Sequence, residues 1–122
     1  ITAEPLMPSP LAAILIGAAG GVIVVYGTKF LLSLKIDDVV GAIPAHLFAG
    51  IWGTLAVPIT NPDTSFSSQL LGVVSVNIFV FAVSLIIWAL MKNTFGIRLS
   101  KDGETKGTDV TETGVIAYAI RD

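Results

Sequence analysis

The chain has 122 residues and a formal net charge of −2, and charged residues make up only 13% of it, about half the share of an ordinary soluble domain. Apolar residues reach 53% and the mean hydropathy is +0.83, which excludes intrinsic disorder because such a chain must hide its side chains. The acidic balance argues against nucleic-acid binding. The absence of cysteine and the lone histidine exclude a disulfide scaffold, a thiolate nucleophile and a multi-histidine metal site within one chain.

Three long stretches of the chain carry no charge, and each exceeds the roughly 20 residues that cross a bilayer as a helix. A soluble chain this short could not bury three such helices inside itself. We therefore predict an all-α membrane protein with three transmembrane helices and a short irregular tail. In chain order the predicted segments are an extracytoplasmic segment (1–10), a first helix (11–34), a cytoplasmic loop (35–42), a second helix (43–58), an extracytoplasmic loop (59–68), a third helix (69–91) and a cytoplasmic tail (92–122).

Local signals mark the ends of these segments. Ser9 and Pro10 are typical of an N-cap and a first helical position, so the first helix begins there. Pro44 fits the first turn of the second helix, and Pro58 is expected to end it. The first residue is Ile1 and no basic region precedes the first apolar run, so we expect the C-terminal part of a longer protein.

Small and polar residues inside the helices are candidate contact positions. Gly17 and Gly21 form a GxxxG pattern, which either permits close approach of another helix or reflects the ordinary abundance of glycine in membrane helices. Asn77 is the strongest polar side chain of the third helix and is expected to form an interhelical hydrogen bond. Glycines at positions 96, 103, 107 and 114 are expected to divide the tail into short pieces.

The distribution of lysine and arginine predicts the orientation of the chain. All seven basic residues lie in the 35–42 loop, at its border or in the tail, and the other two connecting segments have none. The positive-inside rule places that side in the cytoplasm, and with it the C-terminus. The basic residues are Lys29, Lys35, Lys92, Arg98, Lys101, Lys106 and Arg121.

His46 is the most informative residue, because it lies inside the second helix between uncharged residues. With α-helical spacing its neighbours are small: Ala42, Ala49, Gly50 and Gly53. Either the imidazole makes a hydrogen bond across a tight helix contact, or it lines a narrow path for a small polar solute. Desolvation favours the neutral ring, which would not repel a cationic substrate.

The residues around His46 resemble the tenth membrane helix, and the loop before it, of the ammonium transporter family (the Amt/Mep/Rh group). The shared pattern consists of Asp37, Asp38, His46, Gly50, Ile51, Trp52 and Gly53. The tail is similar to the end of the same family through Gly96, Arg98, Gly107, Asp109, Gly114, Ala117 and Tyr118. The resemblance covers nearly the whole chain, in order.

The resemblance implies the last three helices and the tail of an eleven-helix transporter that assembles as a homotrimer in the cell membrane. Ammonium loses a proton in such proteins and passes a hydrophobic pore with two paired histidines, of which His46 matches the second. The implied pore residues are His46, Ala42, Ala49 and Gly50, and no cofactor or metal is implied. Three helices alone are not expected to conduct.

The tail of such transporters packs on the cytoplasmic face, where a PII-type regulatory protein docks in many bacteria. Arg98, Gly107, Asp109 and Tyr118 are the implied regulatory residues. The chain departs from the family pattern at three tail positions, which concerns regulation more than transport: Thr108, Thr113 and Val115.

Two other functions remain open at this point. A membrane-embedded ammonium sensor would carry a signalling domain after Asp122, and a small structural or assembly membrane protein would begin just upstream of Ile1. An enzyme is not expected, because the chain offers no Ser/His/Asp or Cys/His set. Asp37 and Asp38 are expected to cap the second helix or to bind tail lysines rather than a metal.

Overall fold

The structure is a computed structural model, and it describes residues 3–116. This part of the chain is helical and contains no strand. It divides into two compact units, with the boundary between Phe79 and Val80. The elements are α1 (Pro10–Ser33), a π segment (Ile43–Phe48) that runs directly into α2 (Ala49–Thr60), α3 (Phe66–Thr94), α4 (Lys101–Lys106) and α5 (Thr108–Thr113).

Three helical stretches are long and apolar enough to cross a membrane. Their mean hydropathies are 2.1 for α1, 1.3 for the π segment with α2, and 2.7 for α3. At 1.5 Å per residue, the 24 residues of α1 and the 29 of α3 extend about 36 and about 43 Å, against about 30 Å of hydrocarbon. The predicted fold class, an all-α membrane protein, is confirmed.

Both ends of α1 follow from local chemistry. Ser9 Oγ accepts a hydrogen bond from the Ala12 backbone N–H at 3.3 Å, with Pro10 in the first turn, so the predicted cap is confirmed. At the other end the Ile36 N–H donates to the Leu31 carbonyl, and the Lys35 N–H donates to Leu32. These two bonds form a Schellman motif, and they hold Lys35 in the left-handed region at φ 57°.

The core of the first unit is the contact of α1 with the π segment and α2. Its buried apolar residues are few and mostly small: Leu31, Ala49, Ala56 and Val57. Small side chains let helix backbones approach closely where lipid supplies no hydrophobic driving force. One hydrogen bond crosses the contact, from Trp52 Nε1 to the Ile16 carbonyl at 3.0 Å.

The sequence predicts that α2 ends at Pro58, but the helix continues to Thr60. Proline removes one N–H, and here that loss affects only the Thr54 carbonyl. The Asn61 N–H still donates to the Val57 carbonyl at 3.0 Å, so the last turn closes beyond the proline.

α3 has no buried residue in the part of the chain that the structure describes. Asn77 Nδ2 donates to the Val73 carbonyl of its own helix at 2.8 Å. The hydrogen bond of the Asn77 amide nitrogen thus lies within α3, and it is not the predicted interhelical bond. This carbonyl lies one turn earlier on the same helix, within reach of the Asn77 side chain.

The tail forms two short helices, α4 and α5, that contact each other. Ser100 Oγ caps α4 by accepting from the Gly103 N–H at 3.1 Å, and Thr111 Oγ1 donates to the Gly103 carbonyl at 3.2 Å. Gly107 joins the helices at φ 101°, a conformation that side chains rarely adopt. The prediction of short pieces is confirmed at Gly107, whereas Gly103 lies inside α4.

Candidate functional site

His46 lies in a π segment rather than in an ordinary α-helical turn. The Ala49 N–H donates to the Pro44 carbonyl, five residues earlier, and the six residues from Ile43 to Phe48 share this pattern. Pro44 lies in the first turn, where a regular helix also leaves the N–H unpaired, so this residue does not by itself select the π pattern. π turns inside α-helices are rare and occur frequently at functional sites.

Asp38 fixes the start of the π segment. Its carboxylate accepts two backbone hydrogen bonds, from the Ala42 N–H at 2.8 Å and from the Ile43 N–H at 2.7 Å. Such bonds satisfy amides that have no partner at a helix start, and the negative charge suits that end of the helix. The expectation that the linker aspartates cap the second helix is confirmed for Asp38.

Gly27 of α1 lies in close contact with the π segment. A Cβ built on Gly27 would lie 2.7 Å from Phe48 Cδ2 and 3.1 Å from Pro44 Cβ. Both Gly27 and Pro44 are buried. A Cβ on Gly21, by contrast, would meet nothing within 4 Å, so Gly21 makes no close approach within the described chain.

His46 is exposed on this chain, and its imidazole makes no hydrogen bond with residues 3–116. Ala42 is also exposed, and a Cβ added to Gly50 would meet nothing within 4 Å. Ala49 and Gly53 are buried. The face of small residues expected from α-helical spacing is therefore divided, because π hydrogen bonding changes which residues stack on one another.

A cavity of about 200 Å³ lies beside the far end of α2, lined by Glu4, Pro8, Ile16, Gly53 and Thr60 among others. Asn61 is almost fully buried there, and its Nδ2 donates to Glu4 Oε2 at 2.8 Å. The second oxygen of Glu4 accepts from the Leu6 N–H at 3.3 Å. These bonds fasten the proline-rich first segment to α2 at this end of the unit.

In the tail, Arg98 forms a two-pronged ion pair with Glu104. Arg98 Nε and Nη2 each donate to one carboxylate oxygen, the second at 3.2 Å. The hydrogen bond and the charge of Arg98 lower the pKa of Glu104, and the pKa of Arg98 is raised by the same contact. Both groups are exposed, so the pair orders the start of α4 without a large effect on stability.

The tail residues predicted to be regulatory fall into three environments. Arg98 is exposed in its ion pair, Gly107 forms the junction of α4 and α5, and Asp109 is half-buried in the first turn of α5. A Cβ on Gly107 would come within 2.6 Å of Asp109 Oδ1, so the Asp109 side chain occupies the space that a side chain at position 107 would need. Tyr118 lies outside the described residues.

Some features were missed by sequence reasoning. The π segment, the Trp52 bond to α1 and the Gly27 contact were not predicted, although Trp52 belonged to the recognised pattern. A tryptophan in mid-helix was the available signal, since its N–H needs a partner when it is buried. Among residues 3–116 no group of three or more His, Asp or Glu side chains could hold a metal ion.

Comparison with known proteins gives the same family that the sequence resembles. The model of the Ammonium Transporter Family matches residues 1–118. A Synechocystis protein that carries an ammonium-transporter name is 37% identical over 116 residues, which are 93% of this chain and 26% of its own length.

Two archaeal relatives are similar over most of the chain. Ammonium transporter Amt2 of Archaeoglobus fulgidus is 34% identical over 97% of this chain and 30% of its own length. Ammonium transporter Amt1 of Haloferax mediterranei is 34% identical over 86% of this chain and 21% of its own length. The chain thus spans about a fifth to a third of the curated relatives it matches. With its three apolar helices and its family match over nearly every residue, the chain belongs to the Ammonium Transporter Family.

Proposed function

We propose that the protein carrying these three helices transports ammonium or ammonia across the membrane, and that His46 lines its path. The observation that carries the proposal is an exposed imidazole, without a partner in the described chain, on a π segment of a membrane helix in a family of transporters. Ionisable side chains within membrane helices normally face a bundle interior or a cavity. The relatives are named as transporters, so we expect transport rather than enzymatic catalysis.

His46 has the chemistry for this role. A neutral imidazole presents one donor and one acceptor, so it can hold a small solute with N–H groups without adding charge to the path. Ala42 and Gly50 are too small to obstruct the space next to it. Ala49 is buried, so its proposed contribution is to let the π segment lie close to α1.

We further propose that the tail lies in the cytoplasm, because every lysine and arginine falls on the side of the 35–42 loop and the tail. A homotrimer in the cell membrane is proposed from family membership alone. A PII-type regulator at the tail is proposed on the same basis, with Arg98, Gly107, Asp109 and Tyr118 as the residues to test.

Uptake of labelled methylammonium by cells without other ammonium transporters tests the proposal. The complete protein is expressed as wild type, as His46→Ala and as Leu47→Ala, which changes the neighbouring exposed residue. Removing one hydrogen bond to the solute, up to about 1.5 kcal/mol, lowers uptake by up to about tenfold in His46→Ala. Wild-type uptake in His46→Ala, or an equal loss in Leu47→Ala, would remove the imidazole from the mechanism.

A further inference from the structure

We infer that Gly27 of α1 is a positioning residue for His46: its missing side chain leaves the space that seats the π segment against α1. The inference rests on the proposed role of His46 in transport. Gly27 lies on another helix than His46 and belongs to neither of the two patterns that carry the family resemblance.

The contact leaves no room for even one methyl group. A Cβ on Gly27 would lie 2.7 and 3.2 Å from two ring carbons of Phe48, and 3.1 Å from Pro44 Cβ. Carbon atoms pack best at about 3.5–4.0 Å, so each of these distances is repulsive. Something must move if the residue is not glycine.

The parts that must move are the ones that flank His46. Pro44 stands two residues before it and Phe48 two residues after it. Pro44 is fully buried and its ring is joined to the backbone, so it yields only if the backbone shifts. The Phe48 ring can rotate, but Pro44 remains in contact with the added methyl group. A methyl group at Gly27 therefore displaces the π segment rather than a surface side chain.

The π segment is also fixed at its ends, which confines the displacement to the turn that carries His46. The Asp38 carboxylate holds the Ala42 and Ile43 amides at one end. Trp52 bonds to the Ile16 carbonyl of α1, one turn beyond the other end. Between these two attachments, the Gly27 contact sets the distance of His46 from α1.

Gly21 provides a matched control on the same helix. A Cβ there would meet nothing within 4 Å, so Gly21→Ala adds the same methyl group without touching the π segment. Both substitutions replace a helical glycine by the best helix former, so their effects on helix propensity are alike. Any difference between them at His46 comes from the contact.

The experiment follows His46 itself as well as transport. The complete protein is prepared in membranes as wild type, Gly21→Ala, Gly27→Ala, Phe48→Ala and the double variant of Gly27→Ala with Phe48→Ala. The rate at which diethyl pyrocarbonate modifies the peptide containing His46, the chain's one histidine, is measured by mass spectrometry. Methylammonium uptake is measured in parallel, and circular dichroism reports helix content.

We expect Gly27→Ala to change the modification rate of His46 and to lower uptake by up to about tenfold, because the contact with Pro44 requires a shift of a few tenths of an ångström and a misplacement of 1 Å can cost about 100-fold. Gly21→Ala leaves both at the wild-type value. Removing the Phe48 ring relieves two of the three close contacts and leaves the 3.1 Å approach to Pro44 Cβ, so Gly27→Ala has a smaller effect in the Phe48→Ala background than alone.

Wild-type His46 reactivity in a folded Gly27→Ala protein would overturn the inference. So would an equal change in Gly21→Ala. If Gly27→Ala does not fold, the double variant decides: recovery of folding supports the contact, and failure of both contradicts it. Altered His46 reactivity combined with normal uptake in His46→Ala would leave the positioning role intact and refute the transport role instead.

Discussion

Removing the Asp38 carboxylate should lower the stability of the start of the π segment, because two backbone hydrogen bonds are lost with it. The two hydrogen bonds at 2.8 and 2.7 Å have the short lengths of charge-assisted bonds to amides. Asp38→Ala leaves two N–H groups without that partner, of which the Ala42 amide belongs to an exposed residue and the Ile43 amide to a half-buried one. Loss of a capping side chain typically costs about 0.5–2 kcal/mol, and with two bonds we expect the upper half of that range, about 1–2 kcal/mol.

The substitution series separates the two bonds from the charge. Asp38→Asn keeps one acceptor oxygen, so we expect about half the effect of Asp38→Ala. Asp37→Asn is the control, because it removes the adjacent charge at an exposed position, and it should change stability by less than about 0.5 kcal/mol. Unfolding is followed by circular dichroism while detergent micelles are titrated with sodium dodecyl sulfate. Equal midpoints for Asp38→Ala and wild type, or equal losses at both aspartates, would show that the two hydrogen bonds do not stabilise the start of the π segment.

Three further predictions concern other contacts. Trp52→Phe removes the bond to the Ile16 carbonyl and should lower stability by about 0.6–1.7 kcal/mol, read from the same detergent titration; an unchanged midpoint would mean that the bond contributes nothing. Lys35→Gly relieves the left-handed conformation at φ 57° and should raise stability by about 0.5–1 kcal/mol, whereas a lower midpoint would contradict the strain. The pKa of Glu104 is lowered in the folded tail, so its ion pair with Arg98 stabilises the tail fully above the ordinary glutamate pKa of 4.5. This stabilisation is lost as the pH falls through the lowered pKa. The tail's helix content in wild type should fall over that acidic range, and a Glu104→Gln protein that shows the same fall would exclude the ion pair as its cause.

The class of the protein and several helix ends were predictable because their causes are local. An uncharged stretch of more than 20 residues has few alternatives to a membrane helix. Ser9, Pro10 and Asp38 act through backbone groups a few residues away, so their roles follow from position in the sequence. The glycine at the junction of α4 and α5, Gly107, is equally local.

The contacts between helices were not predictable, because they depend on which faces meet. Close approach at the GxxxG glycines Gly17 and Gly21 was one of two interpretations. A Cβ on Gly21 meets nothing within 4 Å, and the close approach uses Gly27, which lies outside that pattern. The π segment also escaped prediction, since Pro44 fits an ordinary first turn as well. In the π segment the small residues near His46 do not share one environment, since Ala49 is buried and Ala42 is exposed.

If ammonium or ammonia passes the side chain at position 46, a single cysteine at this position should place the flux under the control of a thiol reagent. The chain has no native cysteine, so His46→Cys places one thiol there, and Val74→Cys places one on an exposed position of α3 as a control. The complete protein, free of other cysteines, is treated in proteoliposomes with a small methanethiosulfonate reagent while ammonium flux is recorded. We expect modification at position 46 to block the flux that His46→Cys retains and ammonium to slow the reaction, whereas modification at position 74 has no effect. Unchanged flux after complete modification at position 46 would contradict this expectation.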